Sequence, residues 1–353
     1  MKGKGILIAD AHVKQRLWTN FPRIQGDAYE ALKEVQKEVG RGFVISCGDL
    51  FDSNRPSSTD LEAVSTLMRN IDTLYYIRGN HDNIIPDIVS SLGTNIVHLD
   101  DTGTDIMGVV FYGIDWCNTK GDILYHLSNI DEASRQSPRK KVLIMHQSLD
   151  VFFMQHIITL EEIWNMLEAS FDIFVGDIHV HQKVIKNNST CTSPGPLVPQ
   201  DIGQARHQQY MIKLLIENGN LTASDIPVKV RDYKFLEDPK ELEEAVKVLI
   251  ERNQYNLPPV LFIKAPQGYK VPREFVNRED IIVVANTAPQ ELHKEAQTAQ
   301  STGTLIDAVL EEIKETEPEL ADVMVPFAAK IYQSETPDDL MLGLLKKWEV
   351  IMI

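Results

Sequence analysis

Five short apolar runs in the first half of this chain each break off into a cluster of Asp, Asn and His. They are Gly5–Ala9, Phe43–Cys47, Leu74–Ile77, Val142–Met145 and Phe171–Val175. The clusters at their ends are Asp10-Ala11-His12, Gly48-Asp49-Leu50-Phe51-Asp52, Gly79-Asn80-His81-Asp82, His146-Gln147-Ser148 and Gly176-Asp177-Ile178-His179. Runs of this length between turn residues read as buried strands. Helical patterns between them give an alternation of strand and helix, and so an α/β fold (α+β in some schemes) whose sheet is expected to carry helices on both faces. Open α/β sheets build their sites beyond the carboxyl ends of the strands, which is where all five clusters fall.

The residue types suit one chemistry. Carboxylate, imidazole and amide oxygen delivered by five strand ends are what a two-metal hydrolytic site needs, in which two ions roughly 3.5–4 Å apart activate a bridging water and clamp a phosphate. The expected ligands are Asp10, His12, Asp49, Asn80, His146, Asp177 and His179, with Asp49 shared between the ions. Asn is an unusual ligand, but its carbonyl oxygen suits a hard cation, and an O/N donor set without thiolate favours two Mn²⁺, with Mg²⁺ as the substitute, over structural Zn²⁺. His81, next to a ligand yet free, is the expected catalytic acid. Asp52 and Asp82 are expected to support the ligands from behind. Taken singly, each cluster is ordinary turn and cap chemistry or a hydrogen-bonded core histidine. Their order and shared placement carry the reading.

Composition limits the partners. Against 35 Lys and Arg stand 51 Asp and Glu, a net charge of −16. A protein that coats nucleic acid by charge alone is basic, so that class is excluded, whereas an enzyme whose metal ions supply positive charge is not. From Glu291 to Ile353 there are 13 acidic and 5 basic residues, which places about half of the deficit in this tail. Cys47, Cys117 and Cys191 form no CxxC pair and read as free thiols in a reducing cytoplasm. The apolar stretch at the N-terminus is too short for a signal peptide, and no run approaches transmembrane length.

Helix starts are expected at Asp27 with Glu30, Thr59 with Glu62, and Thr159 with Glu162. Asn218-Gly219 signals a hairpin after the run Tyr210–Ile216. Beyond Ile226-Pro227 the pattern shifts to a small α+β module. It has Asp238-Pro239 as N-cap and N1, a helix face of Leu242, Ala245, Val246 and Leu249, and strands at Val260–Ala265 and Ile281–Ala285. After Ser301-Thr302-Gly303 come two apolar stripes, Leu305 to Ile313 and Leu340 to Trp348. The expected organisation is a domain over 1–227, a second over 228–290 and C-terminal helices over 291–353.

Asp10-x-His12, Gly48-Asp49-x-x-Asp52, Gly79-Asn80-His81-Asp82, His146 and Gly176-x-x-His179 resemble the calcineurin-like metallophosphoesterase superfamily, over about Gly5 to Gly203. Within it the chain is most similar to SbcD-like DNA-repair nucleases, through Gly48-Asp49-Leu50-Phe51-Asp52, Gln182 and Ser193-Pro194-Gly195-Pro196-Leu197. The resemblance implies a metallophosphoesterase sheet sandwich flanked by helices, a DNA-recognition capping domain, and C-terminal helices that bind the coiled coil of an SbcC-type ATPase. It implies a Mn²⁺-dependent exonuclease and endonuclease acting on double-stranded DNA ends, as a homodimer within a heterotetramer, in a bacterial cytoplasm and away from membranes. A short chain suits a phage-encoded version. Where the family carries Gly-His-x-His, this chain has Gly176-Asp177-Ile178-His179, so the ligand is Asp177 or, in a shifted register, His181. Lys183, Lys186, Arg206, Arg231 and Lys234 are the candidate contacts to the DNA backbone. Two other functions compete. One is a phosphodiesterase of small substrates; a protein phosphatase is disfavoured because Asp52-Ser53-Asn54 stands where that branch has Asp-Arg-Gly. The other is a non-catalytic scaffold for DNA ends.

Overall fold

The computed structural model describes residues 2–286 apart from positions 19, 84–86, 136, 153–155, 168–169, 187–188 and 267–268. The C-terminal stripes and the expected helices of 291–353 lie outside the described residues. Residues 2–263 with 271–285 form one compact unit.

Its body is two six-stranded sheets. The first runs β12 (Asn220–Val228), β11 (Gln209–Glu217), β1 (Lys2–Ile8), β2 (Phe43–Ser46), β3 (Thr73–Tyr76) and β4 (Ile96–His98). The second runs β5 (Thr104–Ile106), β6 (Val109–Ile114), β7 (Lys141–His146), β8 (Phe171–Gly176), β10 (Ser189–Ser193) and β9 (Gln182–Lys186). Strands β1 to β4 are parallel, as are β6, β7, β8 and β10. The hairpin expected at Asn218-Gly219 joins β11 to β12, with Glu217 facing Asn220.

The helices do not cover both faces of one sheet. Leu7, Phe43, Ile45 and Cys47 of the first sheet pack with Phe111, Val142, Ile144 and Phe174 of the second, forming a core between the sheets. Helices α1 (Asp27–Val39) and α2 (Ser58–Met68) close the outer face of the first sheet, and α3 (Lys120–Ser134) and α4 (Leu160–Met166) that of the second. Every residue of β2, β6 and β7 is buried. A strand buried on both sides reads the same whether helices or a second sheet cover it, so the apolar pattern alone could not separate the two arrangements; the sandwich implied by the family resemblance is the one found.

Two helix starts differ from expectation. Helix α1 begins after Gly26 with no side-chain cap, because the Asp27 carboxylate is engaged by Arg231 and Tyr233. Helix α2 is capped two residues earlier than Thr59, by Ser57 and Asp60 in a reciprocal capping box. The box of Thr159 and Glu162 forms at α4 as expected.

A third, three-stranded sheet orders β13 (Tyr233–Leu236), β14 (Val260–Lys264) and β15 (Ile282–Asn286), with α5 (Leu242–Arg252) burying Leu242 and Val246. Trp18 and Phe21, from the loop after β1, pack against Phe262 of this sheet. Arg231 is fully buried here. Its guanidinium meets both carboxylate oxygens of Asp27 at 2.7 and 2.8 Å and donates to the carbonyls of Gln25 and Pro258. Arg231 is therefore withdrawn as a DNA contact: a side chain without exposure reaches no phosphate.

Candidate metal centre

The parallel strands of both sheets end on one edge. Three ends of the first sheet deliver Asp10 and His12 after β1, Asp49 after β2, and Asn80, His81 and Asp82 after β3. Two ends of the second deliver His146, the last residue of β7, and Asp177 and His179 after β8.

Asp49 sits at the middle. Its Oδ2 lies 3.6 Å from His12 Nε2 and 3.4 Å from His146 Nε2, while its Oδ1 accepts from the His81 backbone N–H at 2.8 Å. Burial pushes the Asp49 carboxyl up, but the hydrogen bond and charge of His146, with His12 and the His81 N–H, outweigh it and hold the pKa below its usual value. Asp10 Oδ1 accepts from the Asp177 N–H at 3.0 Å and lies 3.7 Å from His179 Nε2. Potential donor atoms of Asp10, His12 and His179 lie within 4.8 Å of one another, and so do those of Asp10, Asp49 and His146, and of His12, Asp52 and His81. Asp10 and Asp49, the one carboxylate beside His179 and the other beside His146, stand together in the middle group.

Imidazole orientation is fixed from behind. His146 Nδ1 donates to the Cys47 carbonyl at 2.7 Å, which turns Nε2 towards Asp49 and towards Asn80 Oδ1 at 3.1 Å. A backbone acceptor on one ring nitrogen is how ligating histidines are held. Burial lowers the His146 pKa, but the hydrogen bond to Asp49 and the charges of Asp10, Asp49 and Asp177 overcome this and push it up to about 10. Asp82 works from below. It accepts from the backbone N–H groups of Gly79 at 2.7 Å and Leu50 at 2.8 Å, tying the β3 loop to the β2 loop. Burial, reinforced by Asp49, pushes its pKa up to about 6. Asp52 lies 3.6 Å from His12 Nδ1 and pairs with Lys14 at 2.6 Å, and its carbonyl meets His81 Nδ1 at 2.9 Å.

The backbone is bent to achieve this. Asp10, His12, Asp49 and Asp177 have φ of 46°, 42°, 50° and 75°, in the left-handed region that costs residues with a Cβ. Several glycines here admit nothing larger: a Cβ on Gly79 would fall 2.0 Å from Asp49 Oδ1, and one on Gly176 2.2 Å from the Cys47 carbonyl oxygen.

Asp10 Oδ2 and both ring nitrogens of His12 are buried without a hydrogen-bond partner among the described residues. Buried polar atoms are paired almost everywhere in proteins, so three orphans on adjoining ligand candidates fit a bound cation. The oxygen and nitrogen donors suit a hard or borderline divalent ion.

Asp177 lies beside these groups rather than within them. Its Oδ2 accepts from the Ser148 hydroxyl at 2.5 Å. Burial raises its pKa, the hydrogen bond from Ser148 opposes this, and Asp10 and Asp49 add to the rise. His181, the alternative, faces elsewhere. It is 3.3 Å from Asp225 and packs on the Tyr210 ring at 4.4 Å. Two supporting residues escaped the sequence reading. Ser148, two positions after His146, was legible as a neighbour of that strand end. Gln204 left no signal: it donates to His179 Nδ1 at 3.1 Å from a short 3-10 turn 25 positions along the chain, while its oxygen accepts from the Gln200 N–H. Of the remaining basic candidates, Lys183, Lys186, Arg206 and Lys234 are exposed. Lys186 is paired with Glu161 and lies over Trp164, and Arg206 stacks on Phe235.

Residues 6–180 match the calcineurin-like phosphoesterase family. Two curated relatives are both described as DNA double-strand break repair protein Mre11. That of Methanosarcina mazei is 26% identical over 249 residues, 67% of this chain and 40% of the relative. That of Methanosarcina acetivorans is 26% identical over 241 residues, 65% of this chain and 39% of the relative. The chain thus spans about two fifths of the length of these curated relatives. A crystal structure of a Thermus thermophilus protein aligns at a TM-score of 0.43 with 12% identity, over 64% of this chain and 99% of that one. Among the described residues no helix is long and apolar enough to cross a membrane.

Proposed function

We propose that this chain is a metal-dependent DNA nuclease that cuts double-stranded ends, working as a homodimer with a coiled-coil ATPase of the SbcC type. The observation that carries the reading is the set of buried, unpartnered donor atoms on Asp10 and His12 beside Asp49. The likeness to two double-strand break repair proteins supports DNA as the substrate. Asp10, His12, Asp49 and His179 would hold one divalent ion and Asp49, Asn80, His146 and Asp177 the other, Mn²⁺ before Mg²⁺. Bound there, the ions supply charge to the phosphate oxygens and lower the pKa of water. Asp49 places the two halves around one oxygen, Cys47 orients His146, and Asp82 keeps the β2 and β3 loops in register. His81, exposed and oriented by the Asp52 carbonyl, is placed to protonate the leaving oxygen. Residues 228–290 would serve as the capping module over the DNA. Degradation of end-labelled duplex DNA in Mn²⁺, with and without the co-expressed ATPase, tests the reading. Metal-dependent release of nucleotides is expected, and intact DNA in both reactions would contradict it.

His81→Ala separates its role from that of a ligand. The variant is expected to keep its Mn²⁺ and lose roughly 10²–10⁴-fold in rate, the usual range for a positioned acid. Loss of the metal in that variant would make His81 a ligand instead.

Asp177 adds one negative charge where the family carries histidine. Asp177→Ala is expected to lose one ion and activity, and Asp177→His to keep both while shifting preference towards Zn²⁺ or Co²⁺. Normal metal binding and cutting by Asp177→Ala, with neither in His181→Ala, would give the ligand role to His181.

The acidic segment 304–353, with its two apolar stripes, is assigned to ATPase docking. Deleting Thr304–Ile353 should leave a folded, active nuclease that no longer co-purifies with the ATPase. An aggregated product would place these stripes in the core.

A further inference from the structure

Beside the metal centre lies a cavity of about 420 Å³ that no step above uses. Its volume is within the roughly 300–1,000 Å³ of small-ligand sites. Arg78 and Asn83, which line it, flank the Gly79–Asp82 motif. Arg78 is two residues from Asn80, at most roughly 7 Å along an extended chain, so one wall of the cavity adjoins the loop that carries this ligand candidate.

The walls are preorganised. Arg78 forms a forked pair with Asp115 at 2.8 and 2.5 Å, and His98 Nε2 meets the other Asp115 oxygen at 2.8 Å. The Trp116 N–H donates to the Arg78 carbonyl at 2.9 Å. On the facing side His126 Nδ1 meets Asp101 at 2.9 Å. Each carboxylate holds the proton of its ring on the nitrogen that faces it. His98 Nδ1 and His126 Nε2, without hydrogen-bond partners among the described residues, are left as acceptors when the rings are neutral. Tyr125, 65% exposed, is among the most exposed large apolar side chains of the described residues, and it stands on the rim edge-on to His126 at 5.5 Å.

Four Asp residues, at 100, 101, 115 and 122, line the cavity against one Arg and two His. This balance repels a phosphate. Acceptors set among aromatic faces suit a neutral ring with N–H donors, and base–aromatic stacking is the usual way of holding an unpaired base. We propose that the cavity between Arg78, His98, Trp116, Tyr125 and His126 binds an unpaired, amine-bearing nucleobase next to the phosphodiester held at the Asp49 centre.

The proposal rests on the nuclease reading, and its test separates the two. The full chain with Mn²⁺ is given three duplexes that end in an unpaired dA, an unpaired dT or an abasic nucleotide. KM is expected to be lowest for dA and highest for the abasic end. Tyr125→Ala is expected to raise KM for dA about 5- to 100-fold, the range of a lost base–aromatic stack, and to remove most of the difference from the abasic end. If the wild-type chain cuts all three ends with one KM, or if Tyr125→Ala preserves the difference, the pocket is overturned and the nuclease reading stands. If no end is cut, the nuclease reading fails and the pocket with it.

Discussion

Replacing Asp49 by Ala or Asn is expected to abolish hydrolysis, with a fall of roughly 10³-fold or more. Its Oδ2 lies within 3.6 Å of imidazole nitrogens from both halves of the centre, so its loss removes the atom that both proposed ions would share. Metal stabilisation of a phosphoryl transition state is worth several kcal/mol, and each 1.36 kcal/mol is a factor of ten. Asn is the cleaner variant, since it tolerates the left-handed backbone at φ 50° better than Ala. Calorimetric titration is expected to show weakened Mn²⁺ binding in both variants, with thermal unfolding near that of the wild type. Full activity with intact metal binding in Asp49→Asn would remove the basis of the mechanism.

The largest loss of stability is expected from breaking the pair of Arg231 and Asp27. Both side chains are buried, and the guanidinium satisfies the carboxylate on both oxygens. Tyr233 adds a bond to Asp27 at 2.6 Å. Removing one partner of such a pair strands the other charge in the interior, at roughly 3–5 kcal/mol. For a unit of this size that is a drop in Tm on the order of 10 °C. Asp27→Ala should show it in thermal melts, while Asp27→Leu with Arg231→Met should recover much of the loss, because apolar groups of similar size carry no desolvation penalty. A Tm within about 2 °C of wild type for Asp27→Ala, well short of the drop expected for a unit of this size, would mean that water reaches the pair.

The contrast between these two sites shows where sequence reading works. Asp10, His12, Asp49, Asn80, His146 and His179 could be picked out because each stands at the end of an apolar strand, and parallel strands carry their C-terminal residues to one edge. Arg231 had no such marker. It reads as an ordinary basic residue in a loop, and its partner lies 204 positions away. The sandwich, which the family resemblance implied, was not legible in the strand pattern itself, since β2, β6 and β7 are buried throughout and carry no alternation to tell one covering layer from another. The left-handed backbones of Asp10, His12, Asp49 and Asp177 were also not legible, since Asp and His enter this region more often than most residues but only in a small minority of cases. At α1 a local rule gave way to a distant bond: Asp27 and Glu30 have the spacing of a cap, but Arg231 takes the carboxylate.

The proposed mechanism needs a pair of ions held around Asp49, and electron paramagnetic resonance of the Mn²⁺-loaded full chain addresses that pair without reference to any substrate. Two Mn²⁺ per chain with the spectrum of an exchange-coupled pair are expected, collapsing to a weaker, uncoupled signal in Asp49→Asn. An isolated six-line spectrum at one Mn²⁺ per chain, unchanged in that variant, would contradict it.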